Sequence, residues 1–228
     1  MAKLTWDGAG ERKFETGVDH GVLYVMGDAG KYERGVAWNG LTAVTESPSG
    51  AESNKQYADN MVYLNLISAE EFGGTIEAFT SPPEFGACDG LSEPAEGVSI
   101  GQQERKSFGL VYRTKIGNDL QGQDAGYKLH IMWGLLASPS EKSYQTVNES
   151  PEAMTLSWEL TSTPVAVNDA YKPTSIMTID STLCDPADLA SLVAVLFGTA
   201  APSGGGVEKF ASLPTPSEIL AIFAGRKE

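Results

Sequence analysis

The stretch FGLVYRTKIGNDLQGQDAGYKLHIMWG, residues 108–134, alternates in period two on both sides of a polar loop. Phe108, Leu110 and Tyr112 point one way, and Gly109, Val111 and Arg113 the other. On the return, Tyr127, Leu129, Ile131 and Trp133 oppose Lys128, His130 and Met132. Alternation of this length specifies two strands with one face on a core. It leaves open what the other face meets, and why the connection takes about ten residues when a two-residue turn would serve.

Strand patterns recur at 20–26 (HGVLYVM), 34–44, 61–67 (MVYLNLI), 74–80, 143–147, 152–160 and 175–179, between turn clusters such as GDAGK and SPPEFGACDG. No helix follows each strand, so the expected fold class is mainly β, with antiparallel sheets closed as a sandwich or barrel. Three segments read as helix. SAEEF (68–72) has the Ser68/Glu71 capping-box spacing but is cut short by Gly73 and Gly74. Residues 185–197 offer Asp185 as a cap, Pro186 at the first helical position, an apolar stripe through Leu189, Leu192, Val193, Leu196 and Phe197, and Gly198 as a stop. Residues 216–224 follow a second capping box, Thr215/Glu218, and stop at Gly225. The expected organisation is a β-rich domain over 1–180 and a helical C-terminal extension over 181–228, whose two helices are joined by a Gly/Pro/Ser linker.

Charge narrows the partners. The formal net charge is −14 over 228 residues, with 16 Lys and Arg against 30 Asp and Glu. A phosphate-binding surface needs clustered cations, so specific nucleic-acid binding is not expected, although a protein past which nucleic acid slides is compatible with like charge. No run of 18 apolar residues predicts a membrane span. The start, MAKLTWDGAGERKFETG, lacks a signal-peptide core, which predicts a protein made and kept in a cytoplasm unless a dedicated machine moves it. Cys88 and Cys184 are then expected as reduced thiols.

Candidate chemistry is thin. VMGDAGKY fails the P-loop pattern twice, and the loop at 117–126 lacks the order of calcium ligands and the closing glutamate. His20 and His130 lie in strand patterns without a nucleophile elbow. The carboxylates of SAEEF are explained by a helix start, and NES at 148–150 matters only after secretion. Trp38, Trp133 and Trp158 fall on strands, where packing is the default. No enzyme, metal or cofactor is expected.

Several strings in order carry a family likeness. They are GVAWNGLTAVTESPSGAESNKQYADN (35–60), SAEEFGGTIEAFTSPPEFGACDG, FGLVYRTKIGND, GYKLHIMWG, ASPSEKSY and LSWELTSTPV, spanning about residues 17–180. Together they resemble the major tail proteins, or tail tube proteins, of long-tailed bacteriophages, particularly phages of actinobacteria and other Gram-positive hosts. The resemblance implies a β-sandwich or barrel with a flanking α-helix, related in fold to the ring protein of type VI secretion. It implies a structural virion protein without cofactors. Six copies form rings that stack around a tape-measure protein, meet tail terminator and distal tail proteins at the ends, and later pass phage DNA. On this view the stretch 45–60, long for a structureless loop, is the ring-to-ring contact through Glu52, Asn54, Tyr57 and Asp59, with Asn118 and Asp119 reaching out from the end of the 108–134 hairpin. Glu77 and Glu159 are expected to line the lumen or to pair across strands with Arg113 and Lys128, which would share a face with His130. The alternatives are a β-sandwich module binding host-surface glycans and a hydrolase using His130.

Overall fold

In the computed structural model, residues 4, 6–147, 149, 152–200 and 208–224 are described. β1 (Lys13–Val25) extends the first expected strand toward the N-terminus. The 34–44 pattern divides into β2 (Gly35–Trp38) and β3 (Leu41–Glu46) around a turn in which Gly40 takes φ +80°. Then come β4 (Ser49–Gly50), β5 (Ser53–Ala58), β6 (Met61–Ile67), β7 (Glu70–Glu71) and β8 (Gly73–Ala78). β9 (Ser92–Ala95) and β10 (Val98–Ile100) form a small hairpin for which the sequence offered no pattern. β11 (Phe108–Asn118), β12 (Gly122–Ala137), β13 (Leu156–Ser162) and β14 (Ile176–Asp180) complete the strands, and α1 (Pro186–Phe197) and α2 (Pro216–Ala224) the helices. The fold is mainly β and antiparallel with two helices. No helix among the described residues is long and apolar enough to cross a membrane.

Three local expectations are overturned. Residues 68–72 are not helical: Glu70 and Glu71 pair as β7 with β4, because the partner strand offers a ladder that a helix interrupted by Gly73 and Gly74 cannot match. Residues 143–147 hold no regular structure, and Tyr144 and Val147 are exposed. The 108–134 connection is also short, since β11 and β12 stay paired until Asn118 faces Gly122. Asn118 Oδ1 accepts from the backbone N–H of Leu120 and Gln121 at 3.0 and 2.6 Å and ties the turn. The polar residues 122–126 therefore belong to β12 rather than to a loop.

The main sheet runs β2-β1-β11-β12-β13-β8-β3, with β14 on the same side of β12 as β13. It curls until β3 meets β1, and the enclosed face buries Leu23, Trp38, Ile76, Phe85, Phe108, Leu110, Met132, Trp158 and Leu160. Trp38, Phe85, Phe108 and Trp158 meet edge-on or tilted, with ring centroids 4.6 to 5.7 Å apart. The same sheet is apolar on its other face. Val22, Tyr24, Val111, Leu129, Ile131 and Trp133 pack there against Leu189, Leu192, Leu196 and Ile219 of the two helices. That is what the second face of the 108–134 hairpin meets: both faces are buried, and the C-terminal helices supply one of the covers. Local signals place those helices. Asp185 accepts from the N–H of Ala187 at 2.8 Å, and Glu218 accepts from the N–H and hydroxyl of Thr215. A Cβ at Gly109 would collide with Leu213 Cδ2, so the glycine lets the segment before α2 sit on β11. The middle of the linker, residues 201–207, and Gly225 lie outside the described residues.

Candidate assembly surface

The stretch 45–60 is not a structureless loop. β3 and β8 continue outward as β4 with β7, and then as β5 with β6, so that one two-stranded arm runs from the sheet to a tip at Asp59–Asn60. Both tip residues take positive φ, 52° and 62°, as in the two-residue turns that match strand twist. Asp and Asn tolerate that region best among non-glycine residues, so the Asp59-Asn60 pair directly before the strand pattern MVYLNLI was the signal for a hairpin. From Ser49 to Glu71 every residue is exposed except half-buried Ala58. At about 3.3 Å per residue, the ten residues from Ser49 to Ala58 project on the order of 30 Å.

The arm's composition runs against its exposure. Tyr57 is 70% exposed, Ile67 68%, Tyr63 66%, and Val62 and Leu64 49% each. In β6 only Asn65 is polar, so this strand is apolar on both faces, the pattern of a strand covered on two sides, while its partner β5 carries Ser53, Asn54, Lys55 and Gln56. A two-stranded ribbon by itself is marginal in water. Residues 53–67 carry one Lys and one Asp, Lys55 and Asp59, in a chain of net charge −14. The outer part of the arm, residues 53–67, is thus a locally neutral surface with one apolar strand on a strongly acidic molecule.

The expected site residues are distributed as follows. Glu52, Asn54, Tyr57 and Asp59 all lie on the arm, with Glu52 N–H donating to Ser68 Oγ at 3.0 Å and Asn54 Oδ1 accepting from Gln56. Asn118 and Asp119 sit at the β11–β12 turn and are used internally, Asp119 accepting from the N–H of Gly10 at 2.9 Å. The expected pairing of Glu77 and Glu159 with Arg113 and Lys128 does not occur. Glu77 lies opposite Ser157 and Ala43, and Glu159 opposite Thr75, on the face of β8 and β13 away from the enclosed core.

The cations have other partners. Arg113 makes a two-pronged pair with Asp19, at 2.7 and 2.9 Å, and lies over the Tyr127 ring. That hydrogen bond, helped by the guanidinium charge and opposed by partial burial, holds the Asp19 carboxyl below its ordinary range. Lys128 pairs with Glu15. Nor do Arg113, Lys128 and His130 share a face. The register sets Arg113 opposite Leu129, whereas Tyr112 faces His130 and Thr114 faces Lys128. Arg113 therefore belongs to the helix-covered side, and Lys128 and His130 to the side of the enclosed core.

His130 has a constellation that the sequence did not reveal. Its Nδ1 is 2.9 Å from Glu46 Oε1 and its Nε2 is 3.1 Å from Thr114 Oγ1. Tyr112 donates to the same Glu46 oxygen at 2.6 Å, and its ring stacks on the imidazole at 4.6 Å and 5°. Hydrogen bonds from His130 and Tyr112 outweigh burial and hold the Glu46 carboxyl below its usual range, while burial and the nearby carboxylate raise the Tyr112 phenol. Glu46 is the last residue of β3, 84 positions from His130, so no local pattern could join them. These groups border a hollow of about 450 Å³ with Gly17, Val18 and Ala43.

Trp38, Trp133 and Trp158 are all buried, so these three form no stacking platform. No group of three or more His, Cys, Asp and Glu is arranged around a metal position among the described residues. Comparison with models of protein families and with curated proteins gives no match to this chain.

Proposed function

We propose that this protein is a tail tube subunit of a long-tailed bacteriophage, a structural virion protein that forms hexameric rings stacking into the tube through which DNA is delivered. The observation that carries the reading is the arm: an exposed two-stranded ribbon, marginal by itself, whose strand β6 is apolar on both faces and gains from a cover. The cover of choice is another copy of the same chain. At net charge −14 two copies repel over most of their surface, and the neutral stretch 53–67 is where they can approach. The arm also places Glu52, Asn54, Tyr57 and Asp59 beyond the body, where a neighbouring ring would be met. The outward positions of Glu77 and Glu159 leave them free to repel passing phosphates in a lumen. Tape-measure, terminator and distal tail proteins are the further partners on this reading, the virion is the location, and no catalysis is involved. Negative-stain microscopy of the concentrated protein tests it: rings or tubes are expected, and a monomer at all concentrations would refute it.

A hydrolase reading rests on one observation, the series Thr114–His130–Glu46, which has the order of hydroxyl, imidazole and carboxylate found where a hydroxyl is activated. It requires turnover of an activated ester that is lost in His130→Ala. A glycan-binding module would behave as a stable monomer retained by immobilised host glycans.

A further inference from the structure

We infer that Tyr112, His130 and Glu46 form a latch that fixes the direction in which the arm leaves the body. Three observations converge on this. First, the arm contributes nothing to either core, so its own packing does not orient it. Second, it starts at a joint. Ser47 and Pro48 follow Glu46 directly, and beyond them Gly50 and Ala51 take consecutive positive φ of 85° and 52°, a kink in the ribbon. Third, each strand of the arm is tied down just before that joint. On the returning strand, the carbonyl of Phe72 accepts from Ser162 Oγ at 2.8 Å, and the Phe72 ring packs on the enclosed core. On the outgoing strand the tie is the Glu46 side chain, one oxygen of which takes bonds from both β11 and β12.

The latch is built for rigidity. His130 is held at both ring nitrogens and pressed flat on Tyr112, so neither donor can follow Glu46 if the strand swings. Releasing Glu46 leaves, among the described residues, backbone pairing with Gly74 and the Ser47 N–H to Gly73 carbonyl bond to anchor the outgoing strand at the joint. Gly73 and Gly74 themselves oppose that strand with no side chain to restrain it. Two residues along from His130 the same face carries Lys128 with its partner Glu15, and Asp180 of β14 directly opposite Lys128, so the latch adjoins a second ion-paired tie rather than open sheet. These are positioning residues. Their effect on assembly rests on the arm's being the self-contact, whereas their effect on arm direction does not.

The test separates the two. Spin labels at Lys55→Cys on the arm and Leu120→Cys on the β11–β12 turn, in a Cys184→Ser background, report the arm-to-body distance in dilute protein. One narrow distance distribution is expected for the parent, and a broadened or shifted one for Tyr112→Phe and for Glu46→Ala, with Glu46→Gln, which keeps an acceptor, in between. Narrow and unshifted distributions in both Tyr112→Phe and Glu46→Ala would overturn the latch. Where only a tenth of the arms point correctly, the apparent affinity falls about tenfold, so the critical concentration for rings or tubes should rise by at least that factor. Distances that respond as expected in a protein that never assembles would uphold the latch and sink the assembly reading. Rings that form at the parent concentration in variants with broadened distances would break the link between the two.

Discussion

Leu64 and Leu66 share one face of β6, and their replacement by alanine tests the arm with little else disturbed. They are 49% and 54% exposed and belong to neither core. Fully burying a leucine is worth about 1.5–3 kcal/mol, so covering the exposed half of each side chain in an assembly yields about 1 kcal/mol apiece. Losing both removes about 2 kcal/mol per contact, which at 1.4 kcal/mol per decade is a roughly thirtyfold rise in critical concentration. The fold should not notice: exposed substitutions away from special features usually change stability by less than about 0.5 kcal/mol. Sedimentation or light scattering across a concentration series reads the first quantity, and denaturant unfolding of dilute protein the second. Assembly at the parent concentration would show that this face meets nothing. A loss of several kcal/mol in the dilute monomer would show instead that the arm is held by its own body, and the argument from exposure would fail.

Asp19→Asn should lower stability at pH 7 by about 1–2 kcal/mol, the worth of a partly exposed charged pair. Because the Asp19 carboxyl is held below its ordinary range, its stabilisation is complete above the unfolded value near pH 4 and disappears as pH falls through the depressed one. Denaturant midpoints between pH 2 and 7 should accordingly show a flatter acid limb in the variant, and identical limbs would refute the pairing. Burial pushes the Cys88 thiol up to about 12, so native-state alkylation should label half-buried Cys184 first and Cys88 only after denaturation, as read by mass. Leu192→Ala, in a fully buried position between α1 and the sheet, should cost about 2–5 kcal/mol by thermal or denaturant unfolding. A loss below 0.5 kcal/mol would mean that the helix cover is dispensable.

The sequence by itself determined whatever is decided within a few residues. The alternation of 108–113 and 127–133 specifies strands, though not how far they extend, and Asp185 and the Thr215/Glu218 box start the two helices where their side chains meet nearby backbone N–H groups. Tertiary structure decided what depends on which surfaces meet. Both faces are buried at Phe108–Tyr112 of β11 and Ile131–Leu135 of β12, so alternation alone does not choose which faces pair. The register that sets Tyr112 beside His130 and separates Arg113 from Lys128 follows from burying two cores at once, one of them under the helices. MVYLNLI reads as a core strand because an apolar run records that both faces must be covered, but not whether the cover comes from the same chain. In this protein it lies on the arm, outside both cores. Glu46 reached His130 only because β3 curls round to the far end of the sheet, a closure no local pattern encodes.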